Sequence, residues 1–371
     1  MSDAQQQVQQ VLDELVETGT ERGLQVAAYH DGELVIDAVA GTTDAEAQQP
    51  VRSDTLFTVT SVGKAVASTL VHILVERGEL SYDTRIAELW PEFGAHGKEN
   101  ATVRQALTHT VGLPGIPVDT TTQDLGDWDK MCAAIADSEP WWTPGEKIGY
   151  HALTFGWIVG EIIQRVTGKP LAQVLREEIS EPLGIADELF FGVPESELDR
   201  VSLQQDAPAA PGGFGEMPPD HPILRIGPLT MLPHAGLYNP REVLTADIPA
   251  SGNVTARAVA KVYAALVTGV DGVRLLSPER LREVTAVAER GEDQIFGGPF
   301  STALGYFRGR PGPEPVNGSG LFGYSGVSGA HAEGDLETGI SFAIAKNLFT
   351  TGDHRTAARV AEIATKAILA S

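Results

Sequence analysis

A serine and a lysine three residues apart, Ser61 and Lys64, are the side chains whose types and spacing could support nucleophilic chemistry. They sit in Ser61-Val62-Gly63-Lys64, after Thr55-Leu56-Phe57-Thr58-Val59-Thr60 and at the start of an apolar stripe, Val62, Val66, Leu70, Ile73 and Leu74, at helical spacing. On a helix beginning at Ser61, the i+3 position returns Lys64 to the serine's face while Val62 and Val66 turn toward the core. A lysine held there, partly desolvated, can accept or shuttle the hydroxyl proton, and the helix N-terminus stabilises developing negative charge. The same four letters also fit a plainer arrangement, in which Ser61 caps the helix and Lys64 is a solvated first-turn residue.

Other patterns lack the context their chemistry needs. Gly318-Ser319-Gly320-Leu321-Phe322-Gly323 spells a dinucleotide fingerprint, but a strand pattern follows where a helix N-terminus should receive the pyrophosphate. There is no Gly-x-Ser-x-Gly elbow, no P-loop and no His-Glu-x-x-His. The nine histidines are scattered and the one cysteine, Cys132, reads as a small buried apolar residue, so neither a cofactor nor a metal is expected.

The elements that must position Ser61 and Lys64 are legible in the hydrophobic pattern. Residues 4 to 18 form an amphipathic helix, and Leu24 to Tyr29 and Leu34 to Val39 flank Asp31-Gly32 as the arms of a hairpin. Strands are expected at Ala330 to Glu333 and Gly339 to Ala345, and a helix from Arg355 to Leu369. Helical stripes cover 62 to 77, 102 to 108, 154 to 166, 170 to 179 and 255 to 268. The proline-rich but apolar stretch from Pro208 to Pro249 is too irregular for helix, and with Trp128 and Trp141 it suggests a roomy apolar pocket. Both termini thus supply strands plus a covering helix, and the middle reads as a mostly helical insertion. Val26, Val59, Val62, Val66, Leu70, Ile73, Ile340 and Phe342 are the expected core.

The chain has 371 residues, 42% of them hydrophobic, enough for a substantial core. Its 27 Lys and Arg against 50 Asp and Glu give a formal charge of −23, which repels phosphate backbones and anionic lipid surfaces, so neither nucleic acid nor membrane is expected as a partner. The N-terminal residues lack a basic start and an apolar core, and no stretch approaches membrane-spanning length; a cytoplasmic protein is expected.

Four blocks in order resemble the serine β-lactamase and penicillin-binding protein superfamily, in particular its class C β-lactamase-like (family VIII-type) esterase and acyltransferase branch. Phe57 to Lys64 is similar to the nucleophile segment of that family, and Gly78-Glu79-Leu80-Ser81-Tyr82-Asp83 with Leu89-Trp90-Pro91-Glu92-Phe93 to its continuation. Val103 to Leu113 matches the block ending His-Thr-Ser-Gly-Leu, with Val111 in place of serine. Trp142-Thr143-Pro144-Gly145 followed by Gly149-Tyr150-His151-Ala152 matches a Tyr-x-Asn block, with Ala152 in place of asparagine. Together with the hydrophobic pattern, the resemblance implies an α/β (α+β), β-lactamase/transpeptidase-like fold, with residues 1–88 and 291–371 building an antiparallel sheet flanked by helices and residues 89–290 a mostly helical inserted domain. It also implies a site in which Tyr150 is the base partner, its phenol drawn toward the anion by Lys64. His151 beside it reads as structural, pointing elsewhere on a following helix. The resemblance further implies that Tyr324-Ser325-Gly326 edges the pocket, and that the amides of Ser61 and Val327 form an oxyanion hole. Val327-Ser328-Gly329 repeats the same shape three residues on and leaves that register open.

Two departures change the expected chemistry. Tyr324 replaces a lysine that meets the substrate carboxylate in β-lactamases and cell-wall peptidases, and Ala152 removes an amide that contacts the acyl side chain. A β-lactam or peptide thereby loses two anchors. The reading is a serine hydrolase that forms an acyl-Ser61 intermediate from a small-molecule carboxylic ester, less readily an amide. Two alternatives stand beside it: a transacylase passing the acyl group to an amine or alcohol, as in natural-product biosynthesis, and an inactive binding homologue. A residual β-lactamase role is the weakest reading.

Overall fold

Asp31 and Gly32 adopt φ of 49° and 83°, the left-handed pair that lets two strands leave a two-residue turn with matching twist. They join β1 (Gly23–His30) to β2 (Glu33–Gly41). The computed structural model describes residues 3–44, 46, 49–208, 217–311 and 320–371; Gly318 and Ser319 of the glycine fingerprint and residues 209–216 of the proline-rich stretch lie outside them. The remaining strands of the main sheet come late in the chain: β3 (Glu289–Glu292), β4 (Pro299–Thr302), β5 (Phe307–Arg308), β6 (Leu321–Ser325), β7 (His331–Asp335) and β8 (Ile340–Lys346). They form one antiparallel sheet in the order β2-β1-β8-β7-β6-β5-β4-β3. Leu24 pairs with Lys346 and Tyr29 with Ser341 where the early hairpin meets the late strands.

The helices that position the site are α1 (Asp3–Glu17), α2 (Gly63–Glu76), α3 (Trp128–Ala136), α4 (Thr154–Thr167), α5 (Ala256–Val267) and α6 (Arg355–Leu369). One face of the sheet is covered by α1 through Val8, Leu12 and Leu15 and by α6 through Val360, Ala361 and Ala364, which meet Leu24, Val26, Ile36, Ile340 and Phe342. The other face, with Ala27, Tyr29, Phe322 and Ala343, joins a second core to which α2 and α5 belong. Coverage on both sides explains why β1 is an unbroken buried run, not an alternating one. The fold is α+β, an antiparallel sheet flanked by helices. Helix α5, grouped above with the inserted residues 89–290, lies against β1, β7 and β8.

Helix α2 passes through the centre of the molecule and is buried from Gly63 to Leu74. A helix enclosed on all sides must satisfy its polar groups internally. Ser68 Oγ donates to Lys64 O at 2.8 Å, Thr69 Oγ1 donates to Ala65 O at 2.8 Å, and the His72 ring bridges Tyr82 Oη and Leu304 O. All eight residues expected in the core are buried.

The start of α2 is wedged against the segment Ala250–Gly252. Gly63 has ordinary helical dihedrals, so its small size serves close approach and not conformation: a Cβ there would stand 1.8 Å from Ser251 O. Gly63→Ala should therefore cost about 3 kcal/mol in urea unfolding. A loss below about 1 kcal/mol would mean that the Ser251 backbone yields.

Candidate functional site

Ser61 lies in the 3-10 turn Thr60–Val62 immediately before α2. Thr60 has φ of 45°, an unusual conformation for a β-branched residue, held by contacts of its Oγ1 with Ser328 Oγ at 3.3 Å and Ser328 N at 3.4 Å. Val59 N donates to Gly252 O at 2.8 Å and Val62 N to Val59 O at 3.2 Å. The Ser61 amide takes no partner in this turn among the described residues, and Ser61 lines the cleft.

Lys64 is fully buried one helical turn on, and its Nζ donates to Ser61 Oγ at 3.0 Å and to Ala250 O at 3.2 Å. Among the described residues no carboxylate pairs with it. Burial therefore disfavours the ammonium unopposed and pushes its pKa down to about 7. The Nζ stands 5.2 Å from the centre of the Tyr150 ring, and the Tyr150 hydroxyl meets those of Ser61 and Tyr324. Here the expectation from sequence needs correction. Lys64 does not draw the phenol toward the anion; burial dominates and pushes Tyr150 up to about 12, against smaller opposing effects of the Ser61 and Tyr324 hydroxyls. In the resting site the amine is the group able to accept a proton and the phenol the group able to give one.

Two loops clamp Tyr150. Its backbone N–H donates to Asp293 Oδ1 at 3.2 Å, Gly149 N donates to His109 O at 3.1 Å, and the His109 ring lies 4.7 Å from the Tyr150 ring. His151 is buried and structural: its Nε2 accepts from Leu113 N at 2.9 Å and its Nδ1 donates to Gly149 O at 2.6 Å. It sits in the loop ahead of α4, not on that helix.

The opposite wall is the end of β6 and the turn after it. Ser325 pairs with His331 across β6 and β7, and Gly326 N donates to Ala330 O at 2.8 Å, so Tyr324-Ser325 closes the strand and Val327-Ser328-Gly329 forms the turn. Gly326 is packed so tightly that a Cβ would stand 2.2 Å from Thr60 Oγ1 and 2.4 Å from Val59 O. That contact brings Val327 into the cleft that Ser61 also lines. Two residues expected to touch substrate face elsewhere. Tyr324 is 1% exposed, with its ring 4.5 Å from Phe307 and its hydroxyl 3.2 Å from His109 Nε2. Ser325 hydrogen-bonds His331 Nδ1 at 2.7 Å. Side chains alternate along a strand, which sends Tyr324 behind Tyr150 and Ser325 to the far face.

Ala152 does line the cleft. The proline-rich stretch supplies much of its wall through Ile226, Met231, Leu237 and Tyr238, together with Ile116 and Phe191; Ile116 N donates to Ile226 O at 2.8 Å. Trp128 and Trp141 are not part of it: Trp128 Nε1 donates to Glu161 Oε2 at 2.7 Å, and Trp141 stacks under Arg225 at 4.8 Å. No charged side chain lines the cleft among the described residues, where also no group of His, Cys, Asp or Glu is arranged to hold a metal ion and no helix is long and apolar enough to cross a membrane. Sequence reasoning gave no role to His109 or Asp293. His109 stood within a matched block, so a signal existed; nothing local ties Asp293 to Tyr150.

A profile of the family described as Beta-lactamase matches residues 8–366. The chain is 34% identical over 348 residues to the protein named Esterase/beta-lactamase LipL of Mycobacterium tuberculosis, covering 87% of this chain and 76% of that one. Among solved structures, a family VIII carboxylesterase superposes with a TM-score of 0.88 at 32% identity, covering 99% of this chain and 98% of the other. A penicillin-binding protein homolog from Caulobacter crescentus gives 0.85 at 35% identity, covering 98% of each.

The burial of Lys64 has a measurable stability signature. Its folded pKa lies below the ordinary 10.5, so between about pH 7 and 10 the unfolded chain binds a proton the folded chain lacks, and stability rises with pH; below about pH 7 the full penalty persists. Lys64→Met should be more stable than the wild type by about 2 kcal/mol at pH 7. That gap should shrink as the pH approaches 10. A variant less stable at pH 7, with a gap independent of pH, would contradict this account.

Proposed function

Because the chain belongs to the beta-lactamase family, we propose that it is an ester-cleaving serine hydrolase that works through an acyl-Ser61 intermediate. The observation that carries the reading is the 3.0 Å hydrogen bond between Ser61 Oγ and an amine that burial leaves partly neutral near pH 7. Neutral Lys64 takes the hydroxyl proton as Oγ attacks the ester carbonyl. The oxyanion faces the amides of Ser61 and Val327, each worth on the order of 3 kcal/mol. Tyr150 gives its proton to the departing alcohol, and water then releases the acid.

In this reading the two units expected from sequence, residues 1–88 with 291–371 and residues 89–290, face each other across the cleft. The substrate is an uncharged small ester with an apolar acyl or alcohol part, since the wall offers apolar area and no cation for a carboxylate. The esterase names of similar proteins support the same class. Where an alcohol or amine occupies the cleft in place of water, the acyl-enzyme would transfer to it, so aminolysis or alcoholysis product is the mark of the transacylase alternative.

Ser61→Ala should lower kcat/KM for p-nitrophenyl butyrate by at least about 10⁴ and abolish the acyl adduct seen by mass spectrometry in the wild type. Unchanged turnover would leave Ser61 as a helix cap and end the proposal. The wild-type rate should rise with pH through about 7, as Lys64 loses its proton. A chromogenic cephalosporin, which carries a carboxylate, should be cleaved about 10³-fold more slowly than the butyrate ester; comparable rates would count against an uncharged substrate.

A further inference from the structure

Behind Tyr150 runs a chain of hydrogen bonds whose direction is fixed at its far end by a backbone amide. The N–H of His151, which can only donate, gives to His109 Nδ1 at 3.1 Å. A neutral imidazole that accepts at Nδ1 carries its hydrogen on Nε2, and burial keeps this ring neutral. Nε2 therefore donates to Tyr324 Oη at 3.2 Å. The Tyr324 hydroxyl, having accepted, is left to give its own hydrogen to the Tyr150 hydroxyl it meets, the direction that matches the effect of that bond on the two phenols, lowering Tyr150 and raising Tyr324. The other titratable groups around Tyr150 do not compete for its phenol. Lys64 is engaged with Ser61 and Ala250, Asp293 Oδ1 takes the backbone amides of Tyr150, Ile295 and Phe296, and the His151 ring is tied to Leu113 and Gly149. Tyr238 stacks on Phe349.

We propose that Tyr324, oriented by His109, is a positioning residue that makes Tyr150 a one-way proton donor to the leaving alcohol, holding with its O–H the phenolate left behind. The proposal rests on the acyl-Ser61 reading. In that step the Ser61 Oγ–carbon bond forms and the carbon–alkoxy bond breaks. Lys64 takes the serine proton, Tyr150 protonates the alkoxide to alcohol, and the proton on Lys64 then restores the phenol. No other reactant is required.

The test compares an ester whose leaving group needs a proton, ethyl butyrate, with one whose leaving group does not, p-nitrophenyl butyrate. Tyr324→Phe keeps the ring against Phe307 and should lower kcat/KM for ethyl butyrate about 30-fold and for the p-nitrophenyl ester less than about 3-fold. The rise near pH 7, set by Lys64, should stay in place. His109→Asn suits the φ of 60° at that position and keeps an acceptor for His151, but removes the donor to Tyr324. It should show the same selectivity at about 5-fold, and decides the matter if the Phe variant does not fold. Equal losses on both esters, or none on either, would overturn the relay, since a structural role cannot distinguish leaving groups. Ser61→Ala separates the two ideas: activity surviving in that variant removes the acyl-enzyme reading, whereas its loss together with unselective Tyr324 and His109 variants removes only the relay.

Discussion

An amine buried without a carboxylate is the constraint around which the site is organised. Two other buried lysines in this protein show what such a group ordinarily requires. Lys346 is paired with Glu21 at 2.6 Å, and Lys98 donates to the carbonyls of Ala95, Ala136 and Ser138. Lys64 has one carbonyl and one hydroxyl. That is too little to hold a full charge in the interior, and the charge is surrendered near neutral pH as a result. The shortfall in solvation that weakens the fold is the property that gives a serine hydroxyl somewhere to send its proton.

Keeping the amine in that condition demands a frame that does not relax around it. Gly63 lets the first turn of α2 press on Ser251, and Gly326 lets the end of β6 press on Val59 and Thr60. Thr60 and His109 sit in left-handed conformations on either side of the reacting serine and tyrosine. Strain of this kind persists only where the surroundings overdetermine it. Here the surroundings are short hydrogen-bonded ties between segments distant in sequence, Val59 to Gly252 and Gly149 to His109. Donors fixed in this way need no reorganisation when charge develops.

What was legible in the sequence follows from local periodicity. The spacing of Ser61 and Lys64 on one helix face, the Asp31-Gly32 hairpin and the helix from Arg355 to Leu369 all depend on chain geometry within a few residues. The same periods placed strands and a covering helix at both chain ends, while the antiparallel sheet and fold class rested also on the family resemblance. The proton affinities were not legible, because they arise from burial contributed by the whole molecule: Tyr150 carries no local mark that desolvation outweighs its polar neighbours. The facing of Tyr324 was missed for a related reason. A matching block gives position along a strand, while the alternation of the strand decides which side chain meets the cleft and which lies behind it. Trp128 misled because an aromatic near an irregular stretch looks available for a ligand until Glu161 is found to hold its indole.

The pairing of Leu24 with Lys346 and of Tyr29 with Ser341 joins neighbouring strands of the main sheet that lie far apart in the sequence. Loop closure over so long a stretch costs entropy before any contact rewards it, and contacts of such high sequence separation slow folding. On the ribosome the β1–β2 hairpin, with α1 already against one face, must therefore wait with the other edge of β1 unpaired until β8 has emerged. Local pairings such as β6 with β7, and the helices around α2, can consolidate first. The nascent chain is thus exposed to aggregation over that interval, and its yield should depend on chaperone supply more than the stability of the finished fold would suggest.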